Sequence, residues 1–203
     1  MILGITGGTG CGKTTLLKEI EALGGLVLDC DAIYHELLAR DPALTEAIEA
    51  QFPGVAADGV LDRKKLGTIV FSDKKALLDL NRITHSAVKR EVLRRLESKP
   101  ALAAIDAIAL FEGGLAELCD GTVAVTAPEE DRVRRLMARD GISEEYARAR
   151  IAAQKPESYF AETCDEVLCN DGTVEQFREK CRTFLSKKVP KSAAHRDGLN
   201  PQG

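Results

Sequence analysis

Residues 7–14 of the chain read Gly7-Gly8-Thr9-Gly10-Cys11-Gly12-Lys13-Thr14. They match the pattern G-x-x-x-x-G-K-[ST] at every fixed position. Closely spaced glycines allow successive backbone N–H groups to turn inward around an anion. The positive end of the helix that follows and the ammonium group of Lys13 add to this attraction. The stretch, called the phosphate loop below, therefore indicates a site for the phosphates of ATP or GTP.

The sequence on either side of the phosphate loop supports this interpretation. The short apolar run Ile2–Thr6 predicts a buried strand before the loop. Apolar residues at helical spacing in residues 13–23 predict a helix after it, which Gly24 and Gly25 end. A chance glycine-rich turn does not need both neighbours, whereas the phosphate-binding motif does.

Seven residues are candidates for contact with the nucleotide: Gly8, Gly10, Cys11, Gly12, Lys13, Thr14 and Thr15. The ammonium of Lys13 is expected to reach the β- and γ-phosphates, and the hydroxyl of Thr14 is expected to ligate Mg²⁺. Thr15 is expected on the side of the α-phosphate. The motif carries no information about the acceptor of a phosphoryl group.

Composition narrows the class of protein. The 203 residues have a mass of 22.0 kDa, a formal net charge of -4 and 44% hydrophobic residues. A chain of this length predicts one domain, and its mild acidity gives no electrostatic reason to expect a nucleic-acid partner. No apolar run reaches the length of a membrane span, so no membrane partner is expected.

The cysteines and the start of the chain indicate a compartment. None of the six cysteines forms a Cys-x-x-Cys pair, and no paired histidines accompany them, so a zinc site is not expected. The apolar residues 1–5 continue directly into glycines, unlike a secretory signal. Reduced thiols in a cytoplasmic protein are therefore expected.

Strands alternate with helices along the chain. This alternation predicts a parallel α/β sheet with helices on both faces and a ligand site at the carboxyl ends of its strands. The five predicted strands are residues 2–6, 26–28, 103–110, 122–126 and 166–169. The predicted helices are residues 13–23, 32–40, 43–51, 62–71, 74–80, 82–98, 129–139, 143–154 and 173–187.

Two segments depart from the alternation. Residues 32–100 read as consecutive helices, which predicts a helical insert on a core made of residues 1–31 and 101–188. Residues 189–203 are polar and lack periodicity, which predicts a disordered tail.

An acidic segment, Asp29-Cys30-Asp31, follows the second predicted strand. The carboxyl end of that strand places Asp31 near the phosphate loop. A carboxylate there can accept a proton from an attacking hydroxyl or help to hold Mg²⁺. An aspartate at the start of a helix is equally typical of an N-cap, and position alone does not separate these roles.

Several segments, in their order along the chain, resemble motifs of the dephospho-CoA kinase family over about residues 1–188. They are residues 5–14, 29–35, 61–66, 69–71, 81–85, 109–112, 135–141 and 150–154. Many families share the phosphate loop, whereas the segment 29–31, the turn Arg139-Asp140 and the motif ending at Gln154 discriminate better. Ser86 and Ile108 stand where the family usually has proline.

The resemblance implies a three-layer P-loop NTPase fold with a parallel five-stranded sheet, a helical acceptor-binding insert and a helical lid at about residues 139–154. It implies ATP-dependent phosphorylation of the ribose 3′-hydroxyl of dephospho-CoA, a small-molecule acceptor, with Mg²⁺ as a cofactor. A monomer or small homo-oligomer is expected.

By the same resemblance, the catalytic residues are Asp31, Lys13 and Arg139. Asp31 is the general base, and Asp29 is structural or an outer contact to Mg²⁺. Arg139, at the end of a lid helix, neutralises charge on the transferring group. The other arginines between residues 132 and 150 are expected on the helix surface or at the substrate.

Four residues are predicted to contact the acceptor: Asp31, His35, His85 and Glu112. His35 lies four residues after Asp31 and so on the same helix face, although packing or capping is an equal alternative. His85 is otherwise a surface helix residue, and Glu112 a plain loop acid. Asp106 reads as a mid-strand acid, either close to a metal or facing an edge.

Two alternative functions remain open from the sequence. One is another small-molecule or nucleoside-monophosphate kinase of similar fold, which would share the phosphate loop and the lid. The other is a regulatory switch that binds a nucleotide and signals to a partner. The absence of a guanine-selective N-K-x-D sequence and the arginine-rich lid disfavour the switch.

Overall fold

The structure is a computed structural model that describes residues 1–189. Its strands are β1 (Ile2–Thr6), β2 (Leu26–Asp29), β3 (Ala56–Ala57), β4 (Val60–Leu61), β5 (Ala103–Asp106), β6 (Gly121–Thr126) and β7 (Glu166–Cys169). Five of them form a parallel sheet in the order β2-β5-β1-β6-β7, and β3 and β4 form a separate hairpin.

Helices alternate with the strands of the sheet. Four helices and the β3-β4 hairpin lie between β2 and β5. The helices are α1 (Lys13–Ala22), α2 (Cys30–Arg40), α3 (Pro42–Gln51), α4 (Arg63–Ser72), α5 (Lys74–Leu96), α6 (Glu129–Asp140), α7 (Glu144–Ala152), α8 (Glu157–Thr163) and α9 (Val174–Lys188). Several begin at a side chain that accepts a hydrogen bond from a backbone N–H of the first turn. These N-caps are Asp29, Asp41, Asp62, Asp73, Ser143 and Thr173.

Apolar side chains pack on both faces of the sheet. Successive side chains of a strand point to opposite faces, and accordingly Ala104 and Ile105 of β5 belong to different buried clusters. One cluster joins α1 and α9 to the sheet through Ile20 and Phe177. The other joins α2 and α5 to it and includes Val92. These three layers confirm the predicted parallel α/β fold.

The register of the sheet brings three carboxyl ends to one edge. Asp106, the last residue of β5, lies opposite Ile5 of β1 and opposite Asp29 of β2. The phosphate loop after β1 and the start of α2 are therefore next to Asp106. This is the edge at which the sequence predicts the ligand site.

The insert has an apolar core of its own. Leu44 and Ile48 of α3 pack with Leu66 and Val70 of α4, and with side chains of α2 and α5. Helix α5 leaves this core and continues to the sheet, where Val92 is fully buried. One 23-residue helix therefore links the insert to the sheet.

The continuous α5 corrects the prediction of two helices at residues 74–80 and 82–98. Ser86 donates its hydroxyl to the carbonyl oxygen of Arg82, one turn earlier, at 2.8 Å. A proline at this position would clash with that carbonyl and kink the helix. The serine that replaces the family proline is therefore compatible with an unbroken helix.

The third strand is shorter than predicted. β5 ends at Asp106 and not at Leu110, and the chain then turns so that the N–H groups of Leu115 and Ala116 donate to the Leu110 carbonyl, both at 3.0 Å. The prediction that Asp106 lies in mid-strand is wrong, because it is at the carboxyl end.

The hairpin β3-β4 and helix α8 were also missed, since both are too short to show a clear period.

The end of the described chain is helical. α9 runs to Lys188, and Val189 packs against the core. The rest of the tail predicted at residues 189–203 lies outside the described residues. Within residues 1–189, no helix combines the length and the apolar character needed to cross a bilayer.

We predict that Ile105→Ala, in the centre of β5, lowers the free energy of unfolding by about 2–5 kcal/mol. The Ile105 side chain is fully buried, so its removal leaves a cavity in the core. Leu93→Ala, on the exposed side of α5, is the control and should change it by less than about 0.5 kcal/mol. Urea titration measures both. Equal losses would contradict the assigned core.

Candidate active site

The backbone of the phosphate loop adopts conformations that require glycine. Gly7 has φ 135° and Gly12 has φ 97°, both in the left-handed half of the map. A Cβ atom on Gly7 would lie 2.2 Å from the Val125 carbonyl oxygen, and one on Gly12 would lie 2.4 Å from the Asn170 amide nitrogen. The loop therefore fits against β6 and the segment after β7 only without side chains at these positions.

Side chains from α6 and from the segment after α7 hold the loop from outside. Gln154 Oε1 accepts hydrogen bonds from the Thr9 N–H at 2.8 Å and from Arg132 Nη2 at 2.9 Å. Arg132 Nε donates to the Thr9 carbonyl at 3.0 Å, and Arg135 Nη1 donates to the Gly10 carbonyl at 3.1 Å. Both arginines were expected on the helix surface or at the substrate; in the structure their guanidinium groups bind loop carbonyls, and Arg135 also borders the cavity beside the loop.

A third contact comes from beyond the last strand. The buried amide of Asn170 donates to the Cys11 carbonyl at 2.9 Å. The Cys11 side chain packs in the core, and burial raises the pKa of its thiol. Its N–H donates to the Gly8 carbonyl at 3.3 Å. Any contact of Cys11 with a nucleotide would therefore be made by its backbone.

Lys13 lies between the loop and Asp106. Its Nζ donates to the Gly7 carbonyl at 3.1 Å and is 3.8 Å from Asp106 Oδ1. Both side chains border a cavity of about 280 Å³, called the phosphate cavity below. The residues around this cavity are Gly8, Gly10, Gly12, Lys13, Thr14, Asp106, Arg135 and Arg139. The structure thus brings most of the predicted nucleotide residues together, while Thr15 donates its N–H to Gly12 in the first turn of α1.

Asp106 is a carboxylate in an unfavourable place for its charge. Burial raises its pKa to about 6; the negative charges of Asp29 and Asp31 act in the same direction, while Lys13 opposes the shift. Within the described residues its Oδ1 is buried and accepts no hydrogen bond. A buried carboxylate oxygen without a donor, near the exposed hydroxyl of Thr14, suits a hard cation such as Mg²⁺.

Asp29 and Asp31 differ in the contacts that their carboxylates make. Asp29 is the N-cap of α2, because its Oδ1 accepts from the N–H groups of Asp31 and Ala32 at 2.9 and 3.0 Å. The carboxylate of Asp31 makes no hydrogen bond within residues 1–189 and borders a second cavity. Asp31 is therefore available for a ligand and is not the cap.

This second cavity, the acceptor cavity, has a volume of about 230 Å³. Helices α2 and α5 and the turns after β5 enclose it. Its lining residues are Cys30, Asp31, Tyr34, Leu80, Asn81, Thr84, His85, Val88, Ala107, Ile108, Ala109, Gly113 and Leu115. His85, a predicted acceptor contact, is in the wall of this cavity. Ile108, which stands where the family usually has proline, is in the same wall.

Two of the predicted acceptor residues do not line this cavity. His35 is exposed on α2, with its ring centroid 5.7 Å from that of Tyr34. Glu112 accepts a hydrogen bond from the Tyr159 hydroxyl at 3.3 Å and is 3.5 Å from Lys155 Nζ. Lys155 also lies over the Tyr159 ring, 4.6 Å from its centroid.

Arg139 borders the phosphate cavity from the end of α6. Its guanidinium donates twice to Asp140, at 2.7 and 3.0 Å. Bonds from Arg139, then from Arg150, hold the pKa of Asp140 at about 2. The Arg139 side chain remains 59% exposed, so it can exchange this neighbour for a phosphate. Helices α6 and α7 pack through Leu136 and Ala147.

Sequence reasoning missed the functions of Arg132, Gln154 and Asn170. Arg132 is one of several arginines on a charged helix, and its residue type does not distinguish it from its neighbours. Gln154 belongs to a family-like motif, but its bond to Thr9 spans 145 positions. Asn170 follows a short edge strand and has no local signal. Contacts over such separations follow from the fold and not from local pattern.

Comparison with known proteins agrees with this geometry. A family model described as dephospho-CoA kinase matches residues 1–176. A dephospho-CoA kinase from Carboxydothermus hydrogenoformans is 36% identical over 192 residues, covering 92% of this chain and 93% of that protein.

Solved structures show the same likeness. A crystal structure from Thermus thermophilus has a TM-score of 0.76 and 36% identity, covering 94% of this chain and 98% of that one. A dephospho-CoA kinase from Campylobacter jejuni has a TM-score of 0.65 and 26% identity, covering 93% and 96%. By its sequence and its fold, the chain belongs to the dephospho-CoA kinase family.

Proposed function

We propose that this chain transfers the γ-phosphoryl group of ATP to the ribose 3′-hydroxyl of dephospho-CoA, giving coenzyme A and ADP in the last step of coenzyme A biosynthesis. The family match supports this reaction. The observation that carries it is the juxtaposition of the two cavities: Asp31 borders the acceptor cavity, and its charge acts on Asp106 in the wall of the phosphate cavity.

The phosphate loop and Lys13 position the ATP. Phosphoryl transfer depends mainly on alignment and neutralisation of charge, since the transferring group carries charge on its oxygens. Lys13 supplies a fixed positive charge beside loop amides that cannot move away, because Arg132, Gln154 and Asn170 hold the loop. Preorganised donors of this kind cost no rearrangement during the reaction.

Thr14 and Asp106 are the residues that would hold Mg²⁺. The buried oxygen of Asp106, which accepts no hydrogen bond within residues 1–189, and the exposed hydroxyl of Thr14 are hard oxygen ligands at the same cavity. When bound, the ion supplies neutralisation of charge on the β- and γ-phosphate oxygens. Asp29, committed to capping α2, is left as an outer contact at most.

Asp31 orients the attacking hydroxyl and accepts its proton. Its carboxylate has no competing hydrogen bond among the described residues and borders the acceptor cavity, and its charge acts on Asp106 in the wall of the phosphate cavity. A general base must reach the hydroxyl directly, so a position in the acceptor cavity is required. His85, in the wall of the same cavity, contacts the acceptor.

Arg139 and the helices around it form the lid. Residues 139–154 contain Arg139, which borders the phosphate cavity, and Gln154, which binds the loop. Closure of this lid would bring Arg139 to the transferring group and exclude water. Residues 32–100 form the acceptor-binding insert. His35 and Glu112 stay predicted acceptor contacts, although neither lines the acceptor cavity. A cytoplasmic location and a monomeric or small homo-oligomeric state stay predictions.

The acceptor can be identified by a screen. We predict that dephospho-CoA accelerates ADP release from ATP far more than AMP, cytidine monophosphate or shikimate, because the two mononucleotides offer a ribose hydroxyl without the remaining binding contacts of the acceptor, and shikimate has no ribose. A coupled ADP assay measures all four. Turnover restricted to a mononucleotide, or ATP hydrolysis that no acceptor accelerates, would contradict the proposed reaction.

The role of Asp31 can be tested by Asp31→Asn. We expect kcat to fall by roughly 10²-fold or more with little change in KM, because the amide keeps the shape but cannot accept the proton. Asp58→Asn, in the β3-β4 turn, is a matched control. Asp58 has φ 52°, a left-handed conformation that asparagine adopts as readily as aspartate. A change in KM alone would make Asp31 a binding residue.

The role of Asp106 can be tested by Asp106→Asn. We expect the variant to bind ATP as well as the wild type without Mg²⁺ but to lose the gain in affinity that Mg²⁺ gives, since the anionic ligand is gone. Calorimetric titrations with and without MgCl₂ measure this difference. An unchanged gain would remove Asp106 from the metal site.

A further inference from the structure

The acceptor cavity contains polar groups that the phosphoryl transfer does not use. Tyr34 of α2 and Asn81 of α5 are both half-buried in its wall. Within residues 1–189, neither the Tyr34 hydroxyl nor the Asn81 side-chain amide makes a hydrogen bond. Both side chains are only half-buried, so a ligand in this mostly apolar cavity can contact them.

The packing of the two helices fixes where these groups lie. Cys30 and Ile33 of α2 belong to the cluster that holds Val88 and Val92 against the sheet. Leu38, further along α2, belongs to the cluster of the insert with Leu80 and Ile83. The two helices therefore run in opposite directions. Asp31 and His85 are at the end near the sheet and Asn81 is at the outer end, whereas Tyr34 packs against both clusters and lies between the two ends.

The shape of the acceptor assigns a chemical group to each end. Its reacting 3′-hydroxyl must be beside Asp31, near the phosphate cavity. The base is attached to the same ribose at C1′ and can occupy the apolar outer end of the cavity. Adenine presents a donor, its 6-amino group, next to ring-nitrogen acceptors. A carboxamide carries one acceptor and one donor side by side and pairs with that arrangement in two hydrogen bonds.

We propose that Asn81 is the residue that selects adenine as the base of the acceptor, and that the Tyr34 ring stacks on the same base. This inference rests on the proposed function, because it takes dephospho-CoA as the acceptor. Asn81 provides the discrimination, since a carboxamide responds to the 6-amino group. Tyr34 provides affinity without discrimination, since every base has an aromatic face.

The test compares two acceptors in two proteins. One acceptor is dephospho-CoA, and the other is its analogue in which unsubstituted purine, without the 6-amino group, replaces adenine. In the wild type we expect kcat/KM to favour adenine by roughly tenfold, the effect of one good paired contact. In Asn81→Ala we expect the two acceptors to react equally well. An adenine preference that survives in Asn81→Ala would overturn the proposal.

Control variants separate this effect from misfolding. Arg82→Ala removes the neighbouring, exposed side chain of α5, which does not line the cavity, and should keep the full adenine preference. Tyr34→Phe should retain stacking and affinity, whereas Tyr34→Ala should raise KM for both acceptors by the same factor. A larger loss for adenine than for purine in Tyr34→Ala would contradict the division of roles.

The same data distinguish this inference from the proposed function. If the wild type does not phosphorylate dephospho-CoA at all, the proposed function fails. If it does, but shows no preference for adenine over purine, the proposed function stands and the role of Asn81 is wrong.

Discussion

Four of the eight residues of the phosphate loop are glycine, so the shape of the loop depends on hydrogen bonds from distant parts of the chain. Gln154 and Arg132 hold Thr9, and Asn170 holds Cys11. These partners come from α6, from the end of α7 and from the residue after β7. A loop closed in this way can present its amides to an anion only when the whole sheet and the lid region are folded. Binding of ATP and integrity of the fold are therefore linked.

Negative charge is concentrated at the carboxyl edge of the sheet, next to the phosphate loop. The register places Asp29 opposite Asp106, and Asp31 follows within one turn of α2. Lys13 offsets part of this charge from 3.8 Å, but the pKa of Asp106 is still raised to about 6. The site therefore stores an unfavourable charge that a cation can relieve. This arrangement costs stability, as closely placed charges at active sites commonly do.

The sequence predicted the parts of this account that depend on local pattern. The phosphate loop and its flanking strand and helix follow from glycine spacing and apolar period, and the structure confirms them. The length of β5 did not follow, because residues 107–110 are as apolar as a strand and only the turn around Leu110 ends it. Asp29 and not Asp31 caps α2. The two aspartates are two residues apart, and helix propensity does not distinguish between them. Arg132 and Asn170 required contacts across more than 120 positions.

The most direct measurement of the central claim is a crystal structure of the chain with a non-hydrolysable ATP analogue, Mg²⁺ and dephospho-CoA. The account predicts the terminal phosphate on the loop amides beside Lys13 Nζ. It also predicts the ribose 3′-oxygen at about 3 Å from the Asp31 carboxylate, within hydrogen-bond reach. A triphosphate bound outside the loop, or a ribose whose 3′-oxygen points away from Asp31, would contradict it.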